Sequence, residues 1–474
     1  MPVPVRASLW FLICSFLQKG ISVITTPIFT RLMSTAEYGQ YNVFNSWLSI
    51  VTIFVTLRLT QGVFTQGLVK FDGEQKVFAS SKQGLGLTLC AVWAVIYFVF
   101  KDFWNRLLDL TTVQMLGMLV MIWATEAFAF WAAEQRVKYK YRRLVLITIL
   151  VSVAKPLVGI ILVINSEDKV TARILGLALV ELVGYTGLFF VQMFRGKTFF
   201  SKKFWLYSLK FNLPLVPHYL SQTVLSSSDR IMIKDLVGKS EAGIYGLAYS
   251  ISLIMTMFNT ALSHTISPWI YQKIKAKQTD DIAGVAYISL FSIAAVNLFL
   301  IIFAPEAVAI FAPAKYRDAI WVIPPVAMSV FFTCCYDLFA KFEFYYEKTA
   351  YIMTASVLGA VLNIILNYIF IRIFGYVAAA YTTLFCYIIY SVAHYLFMRR
   401  VCRKYLDNVK VYDLKILLGM SVGFVALGFI FLLTYKVRIV RYAVAAIMIA
   451  AVIIKRKYIV SKVKLILNIR KKKA

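Results

Sequence analysis

The chain has 474 residues, of which 61% are hydrophobic and only 15% are charged, compared with about 25% charged residues in a soluble domain. The apolar residues form runs of about 17–25, the length that crosses a hydrocarbon core about 30 Å thick. This composition excludes a soluble globular protein. The net charge of +29 lies mainly between the apolar runs, where it fixes topology, so it does not indicate a nucleic-acid partner.

Fourteen apolar runs follow one another, and each predicts a transmembrane helix. The first run has no small-residue cleavage site after it, so we expect it to remain as helix one and not to be a signal peptide. The longest predicted connection runs from about Leu59 to Gln83, too short for a folded domain. The predicted spans are residues 9–31, 41–58, 84–100, 113–133, 144–164, 172–194, 211–229, 243–266, 285–304, 320–340, 351–372, 377–397, 414–435 and 440–454.

Lysine and arginine between the runs predict the orientation. An even number of spans puts both termini on one side, and that side carries more than twice as many Lys and Arg residues as the opposite loops. We therefore predict a multi-pass protein of the plasma membrane (the inner membrane of a cell) with both termini in the cytoplasm. The basic tail at 455–474 is either an amphipathic helix on an anionic leaflet or a plain positive-inside signal.

A short sequence repeat, which we call the sequence echo, recurs 204 residues later in the chain. It divides the chain into two halves, as in transporters that are built from structural repeats. The residues that keep this offset are Glu37/Glu241, Gly39/Gly243, Tyr41/Tyr245 and Ser46/Ser250. A second, shorter match places an acidic residue late in helix four and late in helix ten. We predict an N-terminal lobe at 1–194, a cytoplasmic linker at 195–204, a C-terminal lobe at 205–400, two extra helices at 401–454 and the basic tail at 455–474.

Signatures of an enzyme are absent from the sequence. Two Gly-Lys-Ser/Thr tripeptides, at 196–198 and 238–240, lack the upstream glycine of a phosphate-binding loop. The three histidines are scattered and lack the spacing of metal ligands, and no loop clusters the carboxylates that a glycosyltransferase needs. We therefore predict no catalytic residue, no metal site and no cofactor, with coupling to H⁺ or Na⁺ left open.

Basic side chains within or at the ends of the apolar runs are the candidates for substrate binding. An ionisable group within a span costs roughly 2.5–3.5 kcal/mol on insertion, so it needs a partner or a water-filled cavity. A cluster of cations that faces such a cavity suits a phosphate or a pyrophosphate. The alternative for the arginines is extension to the interface, and for the lysines a buried ion pair. The candidates are Lys19, Arg31, Arg58, Lys155 and Arg230.

Three acidic residues also lie within the runs, namely Glu126, Glu181 and Asp337. A carboxylate in a membrane can bind a coupling proton or cation, or it can serve as the counter-ion of a buried lysine. The sequence supports both interpretations equally.

Several segments resemble the polysaccharide flippases, which translocate undecaprenyl-pyrophosphate-linked oligosaccharides. The opening of that family is similar to the residues at 18–20, 30–34 and 37–41, and its second-half signature is similar to 229–232 and 242–249. The resemblance covers about residues 8–400 and places the chain in the multidrug/oligosaccharidyl-lipid/polysaccharide exporter superfamily.

This resemblance implies a fold and a substrate path. The fold is an all-α polytopic membrane protein with two pseudo-symmetric six-helix lobes and two C-terminal helices, in a V-shaped transporter with a central cationic cavity. Lys19, Arg31 and Arg58 occupy places similar to basic residues that serve the pyrophosphate in the related lipid II flippases. Those relatives also carry an arginine early in helix eight, where this chain has Tyr249-Ser250, so charge from the second lobe comes from Arg230 or Lys210 or is missing.

The predicted function is a non-hydrolytic flippase for undecaprenyl-pyrophosphate-linked oligosaccharide repeat units, which works by alternating access in the assembly of lipopolysaccharide, capsule or exopolysaccharide. Its expected partners are the lipid-linked substrate, membrane lipids and the glycan polymerase and export machinery. One alternative is a multidrug or cation-coupled exporter of the same superfamily, which favours an acidic, aromatic cavity. Others are a membrane glycan polymerase or ligase, which needs a long external loop, and a scaffold without transport, which the buried cations disfavour.

Overall fold

The computed structural model describes residues 3–61 and 63–454, and every regular element in those ranges is a helix. The prediction of an all-helical fold is confirmed. The chain divides into two compact units, of which the first ends at Gly243 and the second begins at Ile244. The lobes at 1–194 and 205–400 stay a prediction.

The first unit holds ten helices and the start of an eleventh. Pro156 lies inside one of them, and Pro217 at the start of another, where the missing N–H disturbs no intrahelical hydrogen bond. The helices are α1 Val3–Leu32, α2 Thr35–Thr56, α3 Val63–Lys70, α4 Gln75–Val99, α5 Lys101–Leu108, α6 Thr112–Val137, α7 Tyr141–Ile164, α8 Lys169–Gly196, α9 Lys202–Asn212 and α10 Val216–Leu236, and α11 Lys239–Lys275 continues into the second unit.

The first turns of α2 contain Glu37 and Gly39, two of the residues that are repeated in the second half of the sequence. Ser34 and Glu37 form a capping box, in which the Ser34 hydroxyl accepts a hydrogen bond from the Glu37 amide at 3.1 Å and the Ser34 amide donates to the Glu37 carboxylate at 2.6 Å. Gly39 follows, and a Cβ atom built on it would collide with the backbone carbonyl of Lys239. A Cβ atom on Gly243 would collide in the same way with the backbone at the start of α2. The repeated glycines therefore allow two helix starts to touch backbone to backbone.

Replacement of Gly39 by alanine should separate these two helix starts, because the carbonyl that the new methyl group meets belongs to a rigid helix. Overpacking of this kind costs about 1–3 kcal/mol. We expect a lower unfolding temperature for the purified protein in detergent. The control is Gly187→Ala in α8, where the added methyl group meets nothing within 4 Å. Equal unfolding temperatures for the two variants would contradict the close approach.

A cluster of phenylalanines packs together one end of the first unit. Phe64 contacts Phe130 with ring centroids 4.8 Å apart, and Phe78 contacts Phe204 at 5.2 Å. These four buried side chains come from α3, α6, α4 and α9 in turn. The cluster therefore fixes two short helices, α3 and α9, against two long ones.

The long connection expected at residues 59–83 is wrong, because α3 and the first turns of α4 occupy most of it. The polar residues at 80–83 make the start of α4 look like a loop in the sequence, yet all four are buried in the helix. Their neighbours are distant in the chain: the Ser80 hydroxyl donates to the Thr198 carbonyl at 2.8 Å, and Gln83 donates to the Gln192 side chain at 2.7 Å. Tertiary hydrogen bonds thus compensate the burial of the Ser80 and Gln83 side chains.

Up to residue 454, the second unit contains the rest of α11 and seven further α-helices. Its best-buried helix is α14, whose Phe331 stacks on Phe424 of α17 with ring centroids 4.5 Å apart. Glu343 of α14 and His394 of α16 form a fully buried pair at 2.8 Å. The helices are α12 Asp280–Ile302, α13 Ala304–Phe311, α14 Ile323–Tyr345, α15 Thr349–Phe374, α16 Ala378–Tyr405, α17 Leu414–Leu433 and α18 Arg438–Ile454.

Ten helices in the described part of the chain are long and apolar enough to cross a membrane. A multi-pass helical membrane protein is thus confirmed, whereas the count of fourteen spans stays a prediction. Two of the predicted spans correspond to α2 and α10, which carry polar side chains along their length, such as Asn42 and Asn45 in α2 and Ser227 and Asp229 in α10. These residues lower the mean hydropathy of both helices.

Candidate functional site

The first unit encloses a cavity of about 580 Å³. Four charged side chains line it, two of them cationic (Arg58 and Arg136) and two acidic (Glu126 and Glu181). This volume lies within the range of about 300–1,000 Å³ that is typical of ligand sites. The remaining wall residues are Leu48, Thr52, Thr60, Gln61, Thr65, Met121, Ile122, Thr125, Ala129, Ala133 and Val137.

Arg58 reaches the cavity from a strained turn at the end of α2. Leu57 and Arg58 both adopt the left-handed conformation, with φ of 48° and 50°. A residue other than glycine in this conformation costs roughly 1–2 kcal/mol, so the surrounding structure must hold the turn in place. The buried Asn212 of α9 does so, because its side-chain amide donates to the carbonyls of Leu57 at 2.8 Å and Arg58 at 2.7 Å.

Glu126 lies in the middle of α6 and is 8% exposed. One carboxylate oxygen lies 3.5 Å from the Thr60 hydroxyl, and the other has no hydrogen-bond partner in the part of the chain that the structure describes. The charges that act on this carboxylate are Arg58 and the completely buried Lys82 of α4. The charges of two cations therefore act on this acid, one from the cavity wall and one from a buried lysine outside it.

Glu181 of α8 has a direct partner in Lys155 of α7. The Lys155 ammonium lies 2.5 Å from the carboxylate, and the Thr125 hydroxyl donates to the other carboxylate oxygen at 3.2 Å. The Glu181 side chain is 6% exposed and that of Lys155 24%. The structure thus shows the ion pair that was one of the two interpretations of Lys155, and its role as a substrate ligand stays a prediction.

Two of the predicted ligands, both in α1, lie outside the wall of this cavity. Lys19 is exposed. Arg31 is also exposed, and its guanidinium donates to the Pro27 carbonyl one turn earlier at 2.8 Å. Their predicted contact with the substrate therefore does not involve this cavity.

Arg230 and Asp337 also lie outside the wall of this cavity. Arg230 at the end of α10 is half-buried and donates to the Ser46 hydroxyl at 3.0 Å and to the Ser226 carbonyl at 2.7 Å. Asp337 belongs to the second unit, where it accepts a bond from the buried Lys341 one turn later at 2.5 Å. Of the eight predicted residues, the cavity brings together Arg58, Glu126 and Glu181, with Lys155 joined through Glu181.

Three basic residues of the first unit escaped the sequence analysis. Lys82 and Arg136 fall in predicted loops, although the first is buried beside Glu126 and the second lines the cavity. Arg173 of α8 is buried between two rings, 3.8 Å from the centroid of Phe29 and 3.5 Å from that of Tyr41. Arg173 lies inside a predicted span, so the presence of a charged residue in an apolar run could have identified it as a candidate.

A cluster of charges joins the turn between α5 and α6 to the end of α10 and the start of α11. The Asp109 carboxylate lies 3.3 Å from the Lys234 ammonium and 3.0 Å from that of Lys239, while the Asp109 carbonyl accepts a bond from Gln40 at 2.7 Å. Burial alone would raise the pKa of Asp109, but hydrogen bonds and the charges of both lysines outweigh it and hold the pKa below its ordinary value.

Replacement of Asp109 by asparagine tests the pH dependence that follows. A carboxyl group whose pKa is lowered by folding contributes stability above its unfolded pKa of about 3.9, and this contribution is lost as the pH falls through the folded pKa. We therefore expect the variant to unfold at a lower temperature than the parent at pH 5–7, and the difference to shrink only below about pH 4. The exposed Asp102 of α5 gives the control Asp102→Asn. A difference that is constant from pH 7 to 3 would contradict the assignment.

Two family models match the chain. The model described as Polysaccharide biosynthesis protein matches residues 5–274, more than half of the chain, and the model described as MatE matches residues 214–369. A similar protein is protein 1 of the Lsg locus in Haemophilus influenzae, 23% identical over 393 residues that cover 76% of this chain and 89% of the relative. An uncharacterized membrane protein of Methanocaldococcus jannaschii is 24% identical over 416 residues, which cover 80% of this chain and 94% of that protein.

Solved structures show the same fold. The lipid II flippase MurJ in an inward closed conformation has a TM-score of 0.71 at 15% identity, covering 96% of this chain and 100% of that one. An outward-facing multidrug resistance MATE family transporter of the MOP superfamily has a TM-score of 0.60 at 14% identity, covering 86% of this chain and 97% of that one. At these identities the likeness concerns the fold.

Proposed function

Because the chain belongs to the polysaccharide biosynthesis protein family, we propose that it is a flippase that carries undecaprenyl-pyrophosphate-linked oligosaccharide repeat units across the plasma membrane. The observation that carries the proposal is the cavity of about 580 Å³, whose wall holds Arg58 and Arg136 within a bundle of membrane helices. Guanidinium groups bind phosphate oxygens with two parallel hydrogen bonds, so this wall suits a diphosphate. The fold shared with a lipid II flippase agrees with a lipid-linked substrate.

In this proposal the diphosphate enters from the cytoplasm, where both termini lie, and pairs with Arg58 and Arg136. The glycan occupies the hydrated space and the polyprenyl chain stays in the lipid. Two alternating conformations then expose the substrate to opposite faces of the membrane, without hydrolysis. Lys19, Arg31 and Arg230 remain proposed ligands on the path outside the cavity, and a glycan polymerase and export machinery receive the product.

A second candidate is a multidrug exporter, which the MatE match at residues 214–369 favours. An exporter of cationic drugs would use the acidic side of the same cavity. Glu181, however, already has Lys155 as its counter-ion at 2.5 Å, and Glu126 is acted on by two cations. The site therefore offers more positive charge than negative charge to a ligand, which favours the anionic substrate.

Reconstitution of the purified full chain into liposomes separates these functions. The substrate is a polyprenyl-pyrophosphate oligosaccharide with a fluorophore on the glycan, and a membrane-impermeant reductant bleaches the fluorophore at the outer leaflet. We expect the protein to make the inner-leaflet label accessible, and mass spectrometry to recover the lipid with its glycan unchanged. Transport of ethidium without movement of the lipid would overturn the proposal in favour of the exporter, and a lengthened glycan would indicate a polymerase.

A further inference from the structure

Glu126 and Arg58 in the cavity wall, and the buried Lys82 whose charge acts on Glu126, each have a buried polar atom without a hydrogen bond in the described ranges. Glu126 is 8% exposed and one of its carboxylate oxygens has no hydrogen-bond partner in the described ranges. The Lys82 ammonium is fully buried and lies 5.9 Å from the centroid of the Phe78 ring, but it has no hydrogen-bond partner among the described residues, nor does the Nε atom of Arg58. An unsatisfied buried charge costs more than a neutral group, so this cluster is poised to accept a ligand or a proton.

The charges of the cluster determine what an anion meets there. Arg58 keeps its proton under all ordinary conditions. While Glu126 is ionised, it neutralises part of the charge of Arg58 and Lys82 and repels a phosphate. When Glu126 is protonated, this part of the wall offers the Arg58 guanidinium and one hydroxyl donor to the oxygen atoms of a diphosphate, and the charge of the buried Lys82 is no longer opposed by Glu126.

We propose that Glu126 is a displaceable counter-ion, which takes up one proton when a diphosphate binds in the cavity beside Arg58. The inference rests on the proposed function. A hydronium ion or protonated buffer that reaches Glu126 through the cavity gives up one proton: its bond to that proton breaks, the O–H bond of the carboxyl group forms, and release of the diphosphate returns the proton to solvent. Substrate binding and proton binding therefore become linked.

The other titratable and charged groups around the cluster do not replace Glu126 in this role. Glu181 is held by Lys155 at 2.5 Å, so it already has its counter-ion. Arg136 keeps its charge, as Arg58 does. The remaining groups whose charges interact with the cluster are Cys90 of α4, beside Glu126, and Tyr219 of α10, beside Arg58.

Isothermal titration calorimetry of the full chain in detergent tests the linkage, with inorganic pyrophosphate as the probe. Titrations at one pH in two buffers of different ionisation enthalpy give the number of protons taken up per pyrophosphate bound. We expect about one proton more for the parent protein than for Glu126→Gln, and the comparison of the two proteins cancels protons exchanged by pyrophosphate itself. The variant should bind pyrophosphate at least as tightly, because the glutamine removes the repulsion.

The control variant is Glu134→Gln, because Glu134 is a buried acid of the same helix that lies outside the cavity wall and is paired with Lys138 at 2.6 Å. It should keep the proton uptake of the parent. Equal uptake in the parent and in Glu126→Gln would overturn the inference while the phosphate site stands. Absence of pyrophosphate binding in every protein, with flipping intact, would overturn the cavity as the diphosphate site and the inference with it. If Glu134→Gln also loses the proton uptake, any buried acid of α6 affects it. That result would refute the specific role of Glu126 as the counter-ion.

Discussion

Replacement of Arg58 by glutamine is expected to slow the flipping of a pyrophosphate-linked oligosaccharide about 30-fold or more. The side chain is the cation that the strained turn after α2 presents to the cavity, and loss of one partner of a desolvated charge pair costs about 2–5 kcal/mol. The measurement is the initial flipping rate in proteoliposomes that contain equal amounts of the parent and the variant.

The matched control is Arg143→Gln, because Arg143 is an exposed arginine at the start of α7 and does not line the cavity. It should flip at the parent rate. Arg58→Lys keeps the charge but loses the planar fork, so we expect an intermediate rate. A parent-like rate for Arg58→Gln would remove Arg58 from the substrate path.

Separation of Lys155 from Glu181 is expected to have the largest effect on stability. Lys155→Met leaves the Glu181 carboxylate, 6% exposed, with the hydrogen bond from the Thr125 hydroxyl. An uncompensated buried charge of this kind costs about 3–5 kcal/mol, whereas replacement of both partners by apolar residues of similar size is often neutral. We expect thermal unfolding in detergent to show a large loss for the single variant and recovery of most of it in Lys155→Met/Glu181→Leu.

The comparison for this double-mutant cycle is the pair formed by Lys203 and Glu74, whose side chains are 57% and 52% exposed. Surface pairs contribute about 0–1 kcal/mol, so their single and double replacements should change the unfolding temperature little. If the losses in the two Lys155 and Glu181 single variants simply add in the double variant, the two side chains do not stabilise each other.

Each predicted span overlaps one long helix of the described chain, because apolar runs long enough to cross a bilayer leave little choice of structure, but the helix ends differ from the prediction by up to nine residues. The family resemblance drawn from short segments around Arg31 and Arg230 is also confirmed. The connection before α4 was the main error. Residues 80–83 look like a loop in the sequence but are buried in the structure, where carbonyls more than 40 residues away accept hydrogen bonds from Ser80 and Gln83.

In the candidate site, too, some residues could be predicted from the sequence and others could not. Charges inside apolar runs pointed to Arg58, Glu126 and Glu181, because the cost of burying a charge marks such residues in any sequence. The same reasoning could not find Lys82, which lies in the polar stretch at the start of α4, nor exclude Lys19, whose exposure depends on how α1 is turned. Which charges meet is decided by helix packing, and the sequence contains that only indirectly.

The hydrogen bonds that the Asn212 side chain donates to the turn at Arg58 have a consequence for the order of synthesis. The two residues are separated by 154 positions in the chain. A ribosome that adds 5–20 residues per second brings Asn212 out roughly 10–30 s after Arg58. During that interval the first helices can already be inserted, but the turn lacks the side chain that holds it. A nascent chain that stops before α9 should therefore reach the bilayer without a finished cavity wall.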